Sequence, residues 1–288
     1  MFAITAITGR VGGELANTLL KDGRKVRAIV RSESKGEPWA AKGCEVALAS
    51  LDDAESLTKA LTDVEGAFIL FPPLYDTEPS FPDLQPRIDA VRRALAQARP
   101  RKVVVLSTIG AEASQPNLLN ALGQVEAGLS ELTLPITYLR AAWFIENAEW
   151  DVAAARDEGV LRSYLQPLDR GVPMISTTDV GRTAADLLRE DWTGQRVVEL
   201  EAASRVTPLQ MAKAFSNALG RTVDAQIVPR DQWEEIFRQQ GMRHPLPRMQ
   251  MIDGFNEGWI DFKDRGVHAR KGQVSLDEAI ANLVIRKA

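Results

Sequence analysis

Over the first 140 residues, short runs of β-branched and apolar residues alternate with stretches in which apolar positions recur every three or four residues. The runs Phe2–Thr5, Val26–Val30, Glu45–Leu48, Ala67–Phe71, Val103–Ser107 and Ile136–Leu139 predict strands. They are nearly continuous rather than alternating in hydrophobicity, the pattern of strands covered on both faces. Between them, Leu84, Ile88, Val91 and Leu95 fall on one stripe of a helix. Ala16, Leu19 and Leu20 do the same in the first helix, for which Gly23 offers a left-handed stop. Strand and helix in regular alternation predict an α/β fold, a Rossmann-type doubly wound parallel sheet.

After Arg140 the rhythm weakens. Thr178-Asp179 reads as a helix start running through Leu188, Val197–Leu200 and Val223–Val228 as strands, and Thr207-Pro208 as a capped helix start closing near Gly220. Ser275-Leu-Asp-Glu278 has the form of a capping box for a last helix. The expected organisation is a nucleotide-binding half, residues 1–150, and a smaller C-terminal α/β lobe, residues 151–288, with the chain free to cross between them.

The first candidate site is the turn between the first strand and the first helix, Ala6-Ile-Thr8-Gly9-Arg10-Val11-Gly12-Gly13. A pyrophosphate needs backbone N–H groups at a helix N-terminus, no side chain in the way, and a helix close to its strand. Gly9 and Gly12 fit the last two glycines of such a turn, with Thr8, Arg10 and Val11 around them; the first glycine is replaced by Ala6. A methyl group there costs roughly 1 kcal/mol or more where the backbone angle is positive. Arg31 stands at the end of the second strand, where an NAD-specific site would place an acid, and Ser32, Ser34 and Lys35 follow. A guanidinium and an ammonium there favour the 2′-phosphate of NADP(H) over the 2′-hydroxyl of NAD(H), although NAD(H) is not excluded by charge.

Composition narrows the classes further. A net charge of -4 with interspersed signs offers no field for a phosphate backbone, which argues against nucleic acid as a partner. The single cysteine, Cys44, has no intramolecular partner, and neither His244 nor His268 has metal-ligand spacing, so no metal is expected. No apolar run approaches a membrane span, and the first residues lack the form of a secretory signal; the expectation is a cytoplasmic protein. A small-molecule substrate is expected as ligand, and a homodimer or a regulatory protein partner is left open.

The combination Thr8-Gly-Arg-Val-Gly12, Arg31, Ser50-Leu51-Asp52-Asp53 and Leu139-Arg140…Phe144-Ile-Glu-Asn147 resembles the NmrA-like branch of atypical short-chain dehydrogenases. Ile175-Ser-Thr-Thr-Asp179-Val180-Gly181 and Ala218-Leu-Gly-Arg221, followed by Trp233, extend the resemblance over nearly the whole chain. It implies a Rossmann domain and a small lobe with a substrate cleft between them, in a family of NAD(P)H-dependent quinone and dye reductases, isoflavone-reductase-like enzymes and silent redox-sensing regulators. Many relatives have Asp in the adenine pocket where this chain has Ser50, leaving Leu51 as the main contact for the base.

Alcohol-oxidising relatives of this fold use a Tyr-x-x-x-Lys pair, in which tyrosine protonates and lysine tunes it. At that spacing this chain has Asn120 and Gln124, which hydrogen-bond but do not titrate. Gln124 could still hold a ribose hydroxyl. Reduction of a quinone or dye needs less, since the delocalised oxyanion takes its proton from water. Ser107 and Thr108, at the end of the fifth strand, are candidate donors to a substrate oxygen. Phe71-Pro72-Pro73 would cover the cofactor, and Trp143, Phe144 and Asn147 would line the nicotinamide side. Trp233, Met249, Met251 and Trp259 read as core. The functional expectation is an NADP(H)-dependent reductase of a quinone-like or other electron-poor molecule. The alternatives are a non-enzymatic NADP(H) sensor acting through a partner, and a fold that has lost the cofactor through Ala6 and Ser50.

Overall fold

The computed structural model describes residues 1–287. Its first half runs β1 (Phe2–Ile4), α1 (Arg10–Lys21), β2 (Val26–Val30), α2 (Glu33–Ala40), β3 (Glu45–Leu48), α3 (Ala54–Leu61), β4 (Gly66–Ile69), α4 (Leu84–Ala98), β5 (Lys102–Thr108), α5 (Asn120–Leu129) and β6 (Ile136–Ala141). Then come β7 (Trp143–Phe144), a 3-10 segment Ile145–Asp151, α6 (Val152–Asp157), β8 (Val160–Ser163), β9 (Met174–Ile175) and α7 (Thr177–Arg189). The chain ends with β10 (Gln195–Glu201), α8 (Pro208–Leu219), β11 (Asp224–Ile227), α9 (Trp233–Gln239), α10 (Leu246–Glu257), β12 (Arg270–Lys271) and α11 (Leu276–Arg286).

The eight-stranded sheet is parallel throughout, in the order β12-β10-β6-β5-β4-β1-β2-β3. Chain direction across the sheet reverses between β1 and β4, so the crevice for a ligand opens at the carboxyl ends of these two strands. The continuous apolar runs follow from the period of two with both faces covered. Along β5, Val104 and Leu106 face one core while Val103 and Val105 face the other. On the second face α3, α4 and α5 pack their stripes, including the four predicted residues Leu84, Ile88, Val91 and Leu95. On the first face lie α1 and α7, and this core continues without a break into Phe215 of α8, Trp233 and Phe237 of α9 and Phe255 of α10.

Several expectations need correction. The strand predicted at Val197–Leu200 is β10, and it extends the main sheet beside β6 instead of belonging to the lobe. β3 is an edge strand with Glu45 and Leu48 exposed, so it is not covered on both faces. α7 begins one residue before the predicted Thr178 because the Ser176 hydroxyl caps it. Asp179 is instead buried, accepting from the Val274 N–H at 2.9 Å. The Thr207 cap is a full box with Gln210, and Gly220 closes α8 in the left-handed conformation, as read from sequence. Trp233, Met249 and Met251 are core. No helix among the described residues is long and apolar enough to cross a membrane.

The crossing of α7 over α1 is tight. A Cβ at Gly181 would stand 2.8 Å from the Val11 carbonyl oxygen and 2.7 Å from Glu14 Cβ. Gly181→Ala is therefore expected to lower stability by about 1–3 kcal/mol, since backbone on the opposing helix cannot yield easily. Urea denaturation of the two proteins at equal m-value measures it; equal midpoints would show that the two helices separate freely.

Candidate functional site

At the mouth of the crevice the phosphate-type turn is built around the Ala6 carbonyl. The Gly9 N–H donates to it at 3.0 Å, and a Cβ on Gly12 would come within 2.4 Å of its oxygen. Only glycine at position 12 lets α1 sit this close to β1. Ala6 itself has φ of +49°, the left-handed region that glycine would occupy without strain. The turn thus keeps the glycine conformation while carrying a methyl group. No side chain caps α1, as is also the case for α2, α4, α5, α6, α9 and α10; Asp53, Ser176, Thr207 and Ser275 cap α3, α7, α8 and α11. The first-turn N–H groups of Arg10, Val11 and Gly12 are left facing the crevice side with the positive end of the helix dipole. Thr8 and Gly9 are exposed beside them. That is a cradle fitted to an anion.

The Arg10 side chain turns away from this cradle. It pairs with Glu149 at 2.8 Å and reaches the Glu146 carbonyl at 3.4 Å. Its partners lie in the 3-10 segment, too distant in sequence to be foreseen. Arg31 is exposed at the end of β2 and makes no ion pair within 4.0 Å among the described residues. Lys35 is exposed on α2 nearby, and Ser32 and Ser34 share a hydrogen bond at 3.2 Å. Ser50 donates to Asp52 at 3.1 Å, and Asp52 is held by Arg87 at 2.7 Å, with Leu51 half-buried between them in sequence. The Arg87 guanidinium is the main cause that keeps the Asp52 carboxyl below its usual range. Phe71 is buried and Pro72 exposed at the end of β4.

At the end of β5 the two hydroxyls differ. Ser107 is buried and donates to the Glu126 carboxylate, which Arg140 grips through two bonds of 2.9 and 2.7 Å; Arg140 also meets Glu112 at 2.6 Å. Its proton is therefore committed inward. Thr108 is half-buried with no side-chain hydrogen bond among the described residues. Asn120 accepts from the Asn117 N–H at 2.8 Å and donates to the Ala113 carbonyl at 2.9 Å, tying the loop after β5 to α5. Gln124, one turn on, is half-buried and makes no side-chain hydrogen bond among the described residues. Trp143 and Phe144 form β7, with Trp143 edge-on to Phe255 at 5.1 Å, and Asn147 is exposed.

Sequence reading missed the contacts between the loop after β4 and the C-terminal part of the chain. Asp76, in the loop after β4, accepts from the N–H groups of Arg243 and His244 at 2.9 and 2.7 Å, strapping that loop to the lobe. Arg248 on α10 has Tyr75, Tyr164 and Asp151 as its ionisable neighbours. Burial pushes the Asp151 carboxyl up to about 6, with Arg248 opposing the shift. No motif marks any of these residues; they meet only through the fold.

Two consequences are measurable. Because left-handed alanine is strained, Ala6→Gly should raise stability by about 1 kcal/mol, read as a higher thermal midpoint. A fall in midpoint would show that the methyl contributes packing exceeding the strain. Because the raised carboxyl of Asp151 binds its proton more tightly in the folded chain, stability should fall as pH rises from about 4 through about 6, then level off. Asp151→Asn should be more stable than the parent by about 1 kcal/mol above pH 7, with the gain vanishing near pH 4. Parallel denaturation curves that do not converge at low pH would contradict the assignment.

With this geometry in view, comparison with known proteins places the chain. An NAD(P)H azoreductase of Xenophilus azovorans is 24% identical over 260 residues, 89% of this chain and 85% of that protein. Among solved structures, the triphenylmethane reductase of a Citrobacter species superposes with a TM-score of 0.83 at 22% identity, covering 99% of both chains. The NADPH-dependent quinone oxidoreductase of Escherichia coli, solved with NADPH, gives 0.81 at 24% identity over 98% of this chain and 99% of that one. The profile of the NmrA-like family matches residues 2–263. The chain belongs to the NmrA-like family.

Proposed function

We propose that this protein is an NADP(H)-dependent reductase of flat, electron-poor small molecules of the quinone type. The observation that carries the reading is the pairing of an uncapped α1 N-terminus behind Gly9 and Gly12 with an unpaired Arg31 at the end of β2. The first suits a pyrophosphate and the second a 2′-phosphate. Asp52, a carboxylate whose charge acts on Arg31 through space, is already engaged by Arg87 and forms no ion pair with Arg31. The azoreductase, dye-reductase and quinone-reductase relatives support the same chemistry.

When bound, the reduced nicotinamide would supply a hydride. The chain's own residues hold and orient. Thr108 has the free hydroxyl at the strand end, so it, rather than Ser107, is the donor available to an acceptor oxygen. Gln124 has an amide free to hold a ribose hydroxyl, while Asn120 has its amide consumed by the loop. None of these groups titrates near neutral pH, which fits an acceptor whose reduced form takes its proton from water. The same absence favours a second reading, a nucleotide-binding regulator without turnover that works through a partner protein.

Calorimetric titration with NADPH and NADH, beside NADPH oxidation with a panel of quinones and dyes, separates these readings. The expected result is NADPH preferred over NADH, with NADPH oxidation dependent on the acceptor. Arg31→Ala should weaken NADPH binding by about tenfold or more while leaving NADH nearly unchanged, the loss of one charge-assisted phosphate contact. Tight NADPH binding with no turnover would favour the regulator, and equal loss for both nucleotides would remove Arg31 from the phosphate site.

A further inference from the structure

On α10 a half-buried cation stands without an ion-pair partner. The Pro247 carbonyl accepts from the Leu118 N–H at 3.0 Å, pinning the start of α10 to the loop after β5. Arg248, the next residue, is thereby set beside Tyr75 from the loop after β4 and Tyr164 and Asp151 from the lobe. Its guanidinium carbon lies 4.3 Å from the centre of the Phe237 ring, and its one hydrogen bond goes to Met242 Sδ at 3.6 Å, a weak acceptor. Among the described residues, every other arginine without an ion pair is exposed; Arg248 alone is half-buried and unpaired.

A partly desolvated guanidinium gains most from an anion that fits its fork. Asp151 is the one carboxylate among its ionisable neighbours, and it stays beyond 4.0 Å, leaving the fork unfilled. Around it stand two aromatic side chains with open surface, the exposed Tyr75 and the half-buried Tyr164, which packs on the buried Phe237 ring at 5.0 Å. A ring can lie on such walls while a charged substituent reaches the arginine.

We propose that Arg248 is a specificity-determining residue that selects flat aromatic acceptors bearing an oxyanionic substituent, a carboxylate or sulfonate, over neutral ones of the same shape. This deepens the reductase reading and rests on it for the word acceptor; the anion preference itself is a binding property and can be read without turnover.

The test is calorimetric titration of the full chain with naphthalene-2-sulfonate and with neutral 2-naphthalenemethanol, neither of which is reduced. The expected result is at least tenfold tighter binding of the sulfonate, a ratio that falls to near one in Arg248→Met and is partly kept in Arg248→Lys. Circular dichroism of both variants checks that they fold. Equal binding of the two probes, no sulfonate binding at millimolar concentration, or a preference that survives Arg248→Met would each overturn the proposal. NADPH oxidation with menadione and with 1,2-naphthoquinone-4-sulfonate reads the other question. Sulfonate preference in binding without turnover leaves the anion site standing and removes the reductase; turnover without the preference does the reverse.

Discussion

Everything in this molecule hangs on how closely α1 approaches β1. The Ala6 carbonyl occupies the space where a side chain at position 12 would be, so the helix enters the sheet with its N-terminus against the strand end. That position is held from behind. α7 crosses α1 at Gly181, and the Glu146 carboxylate caps α7 by accepting from Thr177 N–H at 3.0 and 2.9 Å and from the Ser176 hydroxyl at 2.7 Å. The next turn of the same segment supplies Glu149 to Arg10. The 3-10 segment after β7 thus clamps both helices that back the crevice, and an anion in the cradle would meet a helix end that is already fixed. Preorganised donors of this kind reduce the ordering that binding would otherwise require.

The second fixed feature is the Ser107, Glu126 and Arg140 network at the end of β5. A carboxylate gripped by two guanidinium bonds takes the serine proton as well, so the hydroxyl that sequence would nominate as donor is turned inward. The network joins β5, α5 and β6, which explains why charged groups are tolerated there: each is satisfied by another. Removing Glu126 would leave a largely buried Arg140 with only Glu112, a far larger disturbance than loss of a surface pair.

Much of the fold was legible because doubly covered strands leave an unmistakable run of apolar residues, and the four-residue stripe of α4 and the Thr207 box needed no tertiary help. The placement of β10 was not legible, since nothing local distinguishes a strand pairing with β6 from one pairing with β8. At the site, the glycine spacing and the strain at Ala6 could be read from the turn, whereas the Arg10 side chain could not, because its partner Glu149 lies 139 residues away. Ser107 and Asn120 were nominated by position; their side chains are spent on Glu126 and on the loop carbonyl. Arg248 had no signal at all, because its meaning comes from what it lacks, and a missing partner appears only when the whole chain has been folded around it.

The charges themselves make the same point. Arginines of the described chain that are withdrawn from full exposure are matched by carboxylates at short range, as in Arg205 with Asp261 and Arg230 with Asp253. Arg248 is the exception, and Arg31, exposed at the end of β2, has no ion pair either. A partly buried cation held without a counter-ion lowers stability, and the fold retains it where loops after β4 and β5 meet the lobe. The Asp76 strap ties the loop after β4, which carries Tyr75, to Arg243 and His244 just ahead of α10. Positive charge is therefore left unmatched by the chain itself at the α1 N-terminus, at Arg31 and at Arg248, while the other half-buried arginines are already satisfied by carboxylates.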